Sequence, residues 1–230
     1  MKTLLRKAWL LTLLLAVAFL LAACGGAGGS QQGSGYGSEQ GTADKTGGSM
    51  AGMDHDQMGH GSGGTGSGEM ARQMVMENGK YSDGRFIDAM VPHHQGAIEM
   101  ARVALKNAEH EAIKELSRNI TSSQQAEIEE LKSIKKEEYG TSEVPMEMSQ
   151  EQMRGMGMMN PERLAHSEPF DRAFIDAMIP HHQSAIEMAQ VAYEKSENPR
   201  IKELAENIVS AQQREIEQMK QWRKEWYPQG

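Results

Sequence analysis

The chain has 230 residues, with 24 Lys and Arg against 32 Asp and Glu and a formal net charge of −8. That sign argues against a nucleic-acid partner, because binding a phosphate backbone needs a basic surface. One cysteine and 18 methionines exclude an internal disulfide framework and a thiolate zinc site, so any metal must be held by His, Met, carboxylate or amide groups.

The first 24 residues read as an export address. Lys2, Arg6 and Lys7 form a positive start, Leu10 to Leu21 is an apolar run, and Leu21, Ala22, Ala23 and Cys24 resemble a bacterial lipobox. The expectation is cleavage before Cys24, lipidation of its sulfur, and an extracytoplasmic protein lipid-anchored to a membrane at the periplasmic face or cell surface. Loss of this segment leaves 21 basic residues against 32 acidic ones.

Residues 25–68 hold 17 glycines in 44 positions and too little apolar surface to offset chain entropy. They read as a disordered Gly/Ser-rich tether. Within it, Met50, Met53, His55, Met58 and His60 fall inside eleven residues. There is no core here for methionine to fill. Thioethers are soft ligands that select Cu(I), and imidazole suits copper in either oxidation state. Ag(I) should behave like Cu(I).

Residues 69–230 suit one domain, and it is internally duplicated. Phe86 to Ala101 (FIDAMVPHHQGAIEMA) and Phe174 to Ala189 (FIDAMIPHHQSAIEMA) agree at 14 of 16 positions. The 88-residue register continues through Ile113 to Ile120 and Ile201 to Ile208, and through Gln124 and Gln212. The repeats run over about 81–137 and 169–226.

Each repeat reads as a helical hairpin. Advancing about 100° per residue from Met90 places Phe86, Ile87, His93, His94, Ala97, Met100 and Ala101 on one broad stripe. The second segment carries Ile113, Leu116, Ile120, Gln124, Ile128 and Leu131 at helical spacing, matched by Ile201, Leu204, Ile208, Gln212, Ile216 and Met219. Two such hairpins bury their stripes as an all-α four-helix bundle. Pro92 and Pro180 fall inside the first helix of each pair, where a bent continuous helix is expected. Antiparallel pairing across the short 107–110 loop sets His93 level with Gln124 and His94 with Ser123, and likewise His181 with Gln212 and His182 with Ala211.

The crossover, about 139–168, carries a capping-box pattern at Ser149 and Gln152 and an N-cap pattern at Asn160 and Pro161, so short helices are expected. It also carries Met153, Met156, Met158 and Met159 as further thioether candidates. In the repeats, Met90 with His93 and Met178 with His181 are spaced three apart, and Met100 and Met188 lie seven beyond those histidines. Each copy therefore offers a Met-His-Met stripe with His94 or His182 beside it. Gln124 and Gln212 are expected to support the imidazoles. His110 and His166 have no repeated counterpart and receive no role.

The doubled PHHQ-x-AIEMA motif resembles the bacterial exported family catalogued as domain of unknown function 305, which includes CopM-like copper-binding proteins. The resemblance covers Tyr81 to Trp222. It implies a ferritin-like bundle and, for the CopM-like members, copper binding and tolerance. The functional expectation is a non-enzymatic lipoprotein that binds Cu(I), with Cu(II) or Ag(I) as alternatives, for buffering, tolerance or transfer to or from a copper-exporting or copper-accepting protein. One alternative is a structural or adaptor bundle with a buried His/Gln layer and no metal. A second is a di-iron or di-manganese oxidase, which would place Glu three residues before His on two helices. Met90 and Met178 stand at those positions before His93 and His181.

Overall fold

The computed structural model describes residues 65–229. The chain enters through α1 (Thr65–Met74), which starts inside the stretch expected to be tether. Ala71 and Val75 anchor this entry in the core. A small hairpin follows, β1 (Met76–Glu77) and β2 (Lys80–Tyr81), paired antiparallel. Its two-residue turn is Asn78-Gly79, both at positive φ (51° and 76°), the backbone that Asn-Gly adopts most readily in tight hairpins.

The helices α2 (Asp83–Asn107) and α3 (Glu111–Tyr139) form the first long pair. Ser82 accepts from the Arg85 amide to start α2, and Gly140, in the left-handed region at φ 74°, closes α3. In the crossover, α4 (Gln150–Gly155) begins with the reciprocal Ser149–Gln152 capping box, and α5 (Pro161–Ala165) has Asn160 as N-cap and Pro161 in its first turn. The second long pair is α6 (Phe170–Lys195) and α7 (Pro199–Trp226). Both α2 and α6 run unbroken through Pro92 and Pro180. Among the described residues no helix is long and apolar enough to cross a membrane.

The two hairpins pack face to face. Phe86 and Met90, near the start of α2, share an apolar cluster with Met188 and Ala192, near the end of α6, so these helices are antiparallel. Arg200, at the start of α7, pairs with Glu130 and Glu137 near the end of α3. Since α3 and α6 then point the same way, the 140–169 segment must return along the length of the molecule, and it lays α4 against α1 and α5 against α2 as it does so. Apolar side chains form two clusters, one around Phe86, Ile134 and Ile208 and one around Phe174, Ile120 and Met219.

A long-range cap ties the hairpins together. His110 precedes α3 and makes no side-chain cap of its own. Asp171 of α6, 1% exposed, instead accepts from the Glu109 and His110 amides at 3.0 and 2.8 Å. It also meets His110 Nδ1 at 2.6 Å, and the His110 ring stacks on Trp226 at 3.8 Å. This explains a histidine that the repeat left without a role. Asp171→Ala would leave two orphaned amides and should cost about 2–4 kcal/mol, read as a lower urea midpoint at unchanged helical content.

Candidate metal centre

A polar layer separates the two apolar clusters. His93, His94, His181 and His182 are all fully buried there, each delivered by the turn that follows a helix-interior proline. The rings of His93 and His181 meet across α2 and α6 with centroids 3.8 Å apart. His94 and His182 flank them at 6.2 Å.

Each flanking histidine has a carboxylate from its own hairpin. His94 Nε2 lies 2.8 Å from Glu127 Oε2, a close contact off the hydrogen-bond line. His182 Nε2 and Glu215 Oε2 form a hydrogen bond at 2.7 Å. The sequence spacing had set these histidines level with Ser123 and Ala211, one turn short. Side chains on a helix lean toward its N-terminus. On two antiparallel helices the leans are opposed, so contacting residues sit about a turn beyond the level pair. Glu127 and Glu215 are 88 residues apart, and the repeat register alone would have flagged them. Glu215 fixes the Nε2–H tautomer of His182 and leaves its Nδ1 with a lone pair.

The inner pair is not symmetric. His93 Nε2 is 2.8 Å from Ser184 Oγ. That hydroxyl also faces the Met156 and His181 carbonyls at 2.8 and 2.7 Å. Its single proton goes to a carbonyl, so it accepts from His93 Nε2–H. His181 has no such partner. Six imidazole nitrogens remain buried without a hydrogen bond: His93 Nδ1, both nitrogens of His94, both of His181, and His182 Nδ1. The expected His–Gln pairing is not made. Gln124 Oε1 and both polar atoms of Gln212 are also buried and unpartnered.

Burial first, then the neighbouring imidazoles, hold His93 and His181 well below the ordinary histidine pKa. Backbone carbonyls of Met156 and His181 near His93, and of His93 near His181, oppose this weakly. Both rings are neutral at physiological pH and offer lone pairs rather than charge.

The crossover covers this layer. Met156 is fully buried. Gly157, at φ +64°, lies so close that a Cβ on it would stand 2.7 Å from the His181 amide nitrogen. Met158 reaches over Gly96, where a Cβ would collide with its methyl group and would sit 3.6 Å from His181 Nε2. Beside Pro92 a cavity of about 210 Å³ opens, lined in part by Met74, Met76, Met148 and Met156.

The other candidates divide. Met90 and Met178 are buried one turn from His93 and His181. Met100 and Met188 are buried in the apolar clusters. Seven residues of helix carry them about 10 Å along the axis from the histidine of their own helix, so they do not join the layer. Met159 packs on the second cluster and Met153 lies part-buried on α4. Met50, Met53, His55, Met58, His60 and Cys24 lie outside the described residues. Among the described residues no three His, Cys, Asp or Glu groups converge on one point suited to a metal ion.

The sequence profile described as domain of unknown function (DUF305) matches residues 27–135 and 83–223. The chain belongs to the DUF305 family. Among solved structures it is similar to CopM in the Cu(II)-bound form, at 43% identity, covering 64% of this chain and 99% of that one with a TM-score of 0.61. The Cu(I)-bound form of CopM gives 40% identity, the same coverages and 0.58, and CopM has a silver-bound form as well. A DUF305 fragment from Deinococcus radiodurans matches at 26% identity over 60% of this chain and 92% of that one, with a TM-score of 0.55. An uncharacterized protein of Acanthamoeba polyphaga mimivirus is 43% identical over 49 residues, which is 21% of this chain; the match spans about a third (32%) of that relative's length. The DUF305 match takes in both His pairs and both of their carboxylates.

The lowered pKa values make the metal-free fold sensitive to acid. Unfolded, His93 and His181 take up protons near pH 6.5; folded, they resist. The fold therefore keeps its full stability above that pH and loses it as the pH falls further, by up to about 2.7 kcal/mol per pH unit for two such groups. Urea unfolding of the metal-free chain between pH 7.5 and 5.5 measures the slope, and His181→Gln should reduce it by about half.

Proposed function

We propose that this protein is an extracytoplasmic, lipid-anchored copper-binding protein that holds its metal in the buried imidazole layer. The observation that carries this reading is the set of six unpartnered imidazole nitrogens in a fully buried layer. An unmet buried polar group costs about 1–3 kcal/mol, and neutral nitrogens beside a thioether are donors that copper satisfies. The kinship with CopM, solved in Cu(II)-, Cu(I)- and silver-bound forms, supports the same metal class. We take the two hairpins as a ferritin-like four-helix bundle with one long crossover, and the metal as cargo rather than as an enzyme's cofactor. The Met50–His60 stretch would capture the ion on a tether anchored at Cys24, and the layer would hold it for buffering or for transfer to a copper-handling partner.

A second reading is a structural layer that fixes the register of the helices without metal. The hydrogen-bonded His182–Glu215 pair and the Ser184–His93 contact favour it, since they satisfy part of the layer from within.

The test is an anaerobic Cu(I) titration of the 25–230 chain against a chromophoric competitor. The wild-type chain should compete, and Met50→Leu/Met53→Leu/Met58→Leu should bind fewer ions with unchanged unfolding. His93→Leu/His181→Leu should lose the tightest site, weakening it at least about tenfold, or 1.4 kcal/mol. A wild-type chain that leaves the competitor untouched would leave only the structural reading.

A further inference from the structure

The two copies of the sixteen-residue motif differ meaningfully at one place, Gly96 against Ser184; the other change exchanges Val91 for Ile179. That place is the point of contact between each helix and the opposite inner histidine. Ser184 Oγ meets His93 Nε2 at 2.8 Å and also faces the Met156 carbonyl. The equivalent position opposite His181 is Gly96, which has no side chain to offer. His181 Nε2 is left fully buried and unpartnered, with the His93 carbonyl near but outside hydrogen-bond geometry. The space that a serine would fill is taken by the Met158 thioether: a Cβ on Gly96 would lie 3.6 Å from Met158 Sδ and 3.6 Å from His181 Nε2.

We propose that the copies have separated in role, so that His181 Nε2 and Met158 Sδ form the site for a monovalent soft cation while His93, tied to Ser184, positions it. The inference rests on the copper reading above and narrows it. Three observations support the choice of ion. Both donors are neutral and soft or borderline, which suits Cu(I) and Ag(I). The nearest carboxylates lie at the outer histidines, Glu215 hydrogen-bonded to His182 and Glu127 in close contact with His94. A buried site without anionic ligands penalises a divalent ion far more than a monovalent one, because the desolvation cost rises with the square of the charge. Met158 is held for this role by its neighbours. Gly157 adopts a positive φ of 64° against the His181 backbone, and Met156 is pinned through its carbonyl by Ser184.

Ag(I) is the probe, since it is diamagnetic and keeps one oxidation state. The full mature chain carrying Met50→Leu, Met53→Leu and Met58→Leu is labelled with 13C at the methionine methyls and 15N in the histidine rings, then titrated. At the first equivalent the Met158 methyl and the His181 ring should shift, while the Met100 and Met188 methyls and His93 Nε2 stay in place. Met158→Leu should weaken silver binding tenfold or more, and Met100→Leu, in the apolar cluster, should not. Gly96→Ser, which displaces Met158 and hands His181 a hydroxyl, should abolish the site; circular dichroism establishes whether that variant has folded, and the wild-type spectra decide the matter if it has not. Equal shifts at His93 and His181, or full binding by Met158→Leu, would overturn the asymmetric site while leaving copper binding by the layer intact. No silver or Cu(I) binding by the tether-silenced chain at all would remove both.

Discussion

The structure is organised around four imidazoles that have been taken out of water and not fully repaid in hydrogen bonds. Six imidazole nitrogens of that layer lack a partner. At about 1–3 kcal/mol each, the deficit is comparable to the whole net stability of an ordinary domain, about 5–15 kcal/mol. Apolar clusters on both sides carry it: Phe86, Ile134 and Ile208 on one, Phe174, Ile120 and Met219 on the other. The carboxylate of Glu215 and the hydroxyl of Ser184 reduce the deficit where they reach. What they leave is concentrated on His94 and His181 and on the Nδ1 edges of His93 and His182.

Connectivity decides why the remainder is unequal. Two hairpins related by an approximate twofold axis would make His93 and His181 equivalent. One chain has only one crossover, and a single crossover cannot obey a twofold axis. Because α3 and α6 point the same way, the 140–169 segment must travel back along the molecule, and its Met156–Met158 stretch lands on the layer from one side. Ser184 binds that segment's backbone, whereas Gly96 yields space to its side chain. The one non-conservative difference in the duplicated motif thus lies where the symmetry of the fold has to fail.

Much of this was legible in the sequence because it is set by local rules. The stripe from Phe86 to Ala101, the short 107–110 loop, the capping box at Ser149 and the Asn160-Pro161 start all depend on neighbours within a turn or two. The misses have identifiable causes. Height across the hairpin sets His94 beside Ser123, but the lean of helical side chains brings it to Glu127 instead, and the copy Glu215 stands at the same 88-residue offset. The Asn78-Gly79 turn is a strong local signal hidden between a Gly-rich tether and a dominant repeat. The α1 start at Thr65 follows from tertiary docking of Ala71 and Val75, not from the helix propensity of a Thr-Gly-Ser-Gly stretch. Met100 and Met188 share the histidine stripe in angle but not in height, and a helical wheel shows only the angle.

That last distinction bears on how a soft-ligand centre arises in a helical core. A stripe of Met and His along one helix cannot close around a single ion, because each further turn adds about 5.4 Å of rise. Closure needs donors at one height from different segments. Here the layer supplies imidazoles from α2 and α6, and the crossover supplies the thioether. Carboxylates are also within reach of the layer, but both stand beside an outer histidine, Glu215 hydrogen-bonded to His182 and Glu127 in close contact with His94. On the proposed reading, this division keeps fixed negative charge at the rim and neutral donors at the centre. An ion of low charge can then enter the dry interior without a buried counter-charge, and the same arrangement works against a divalent ion.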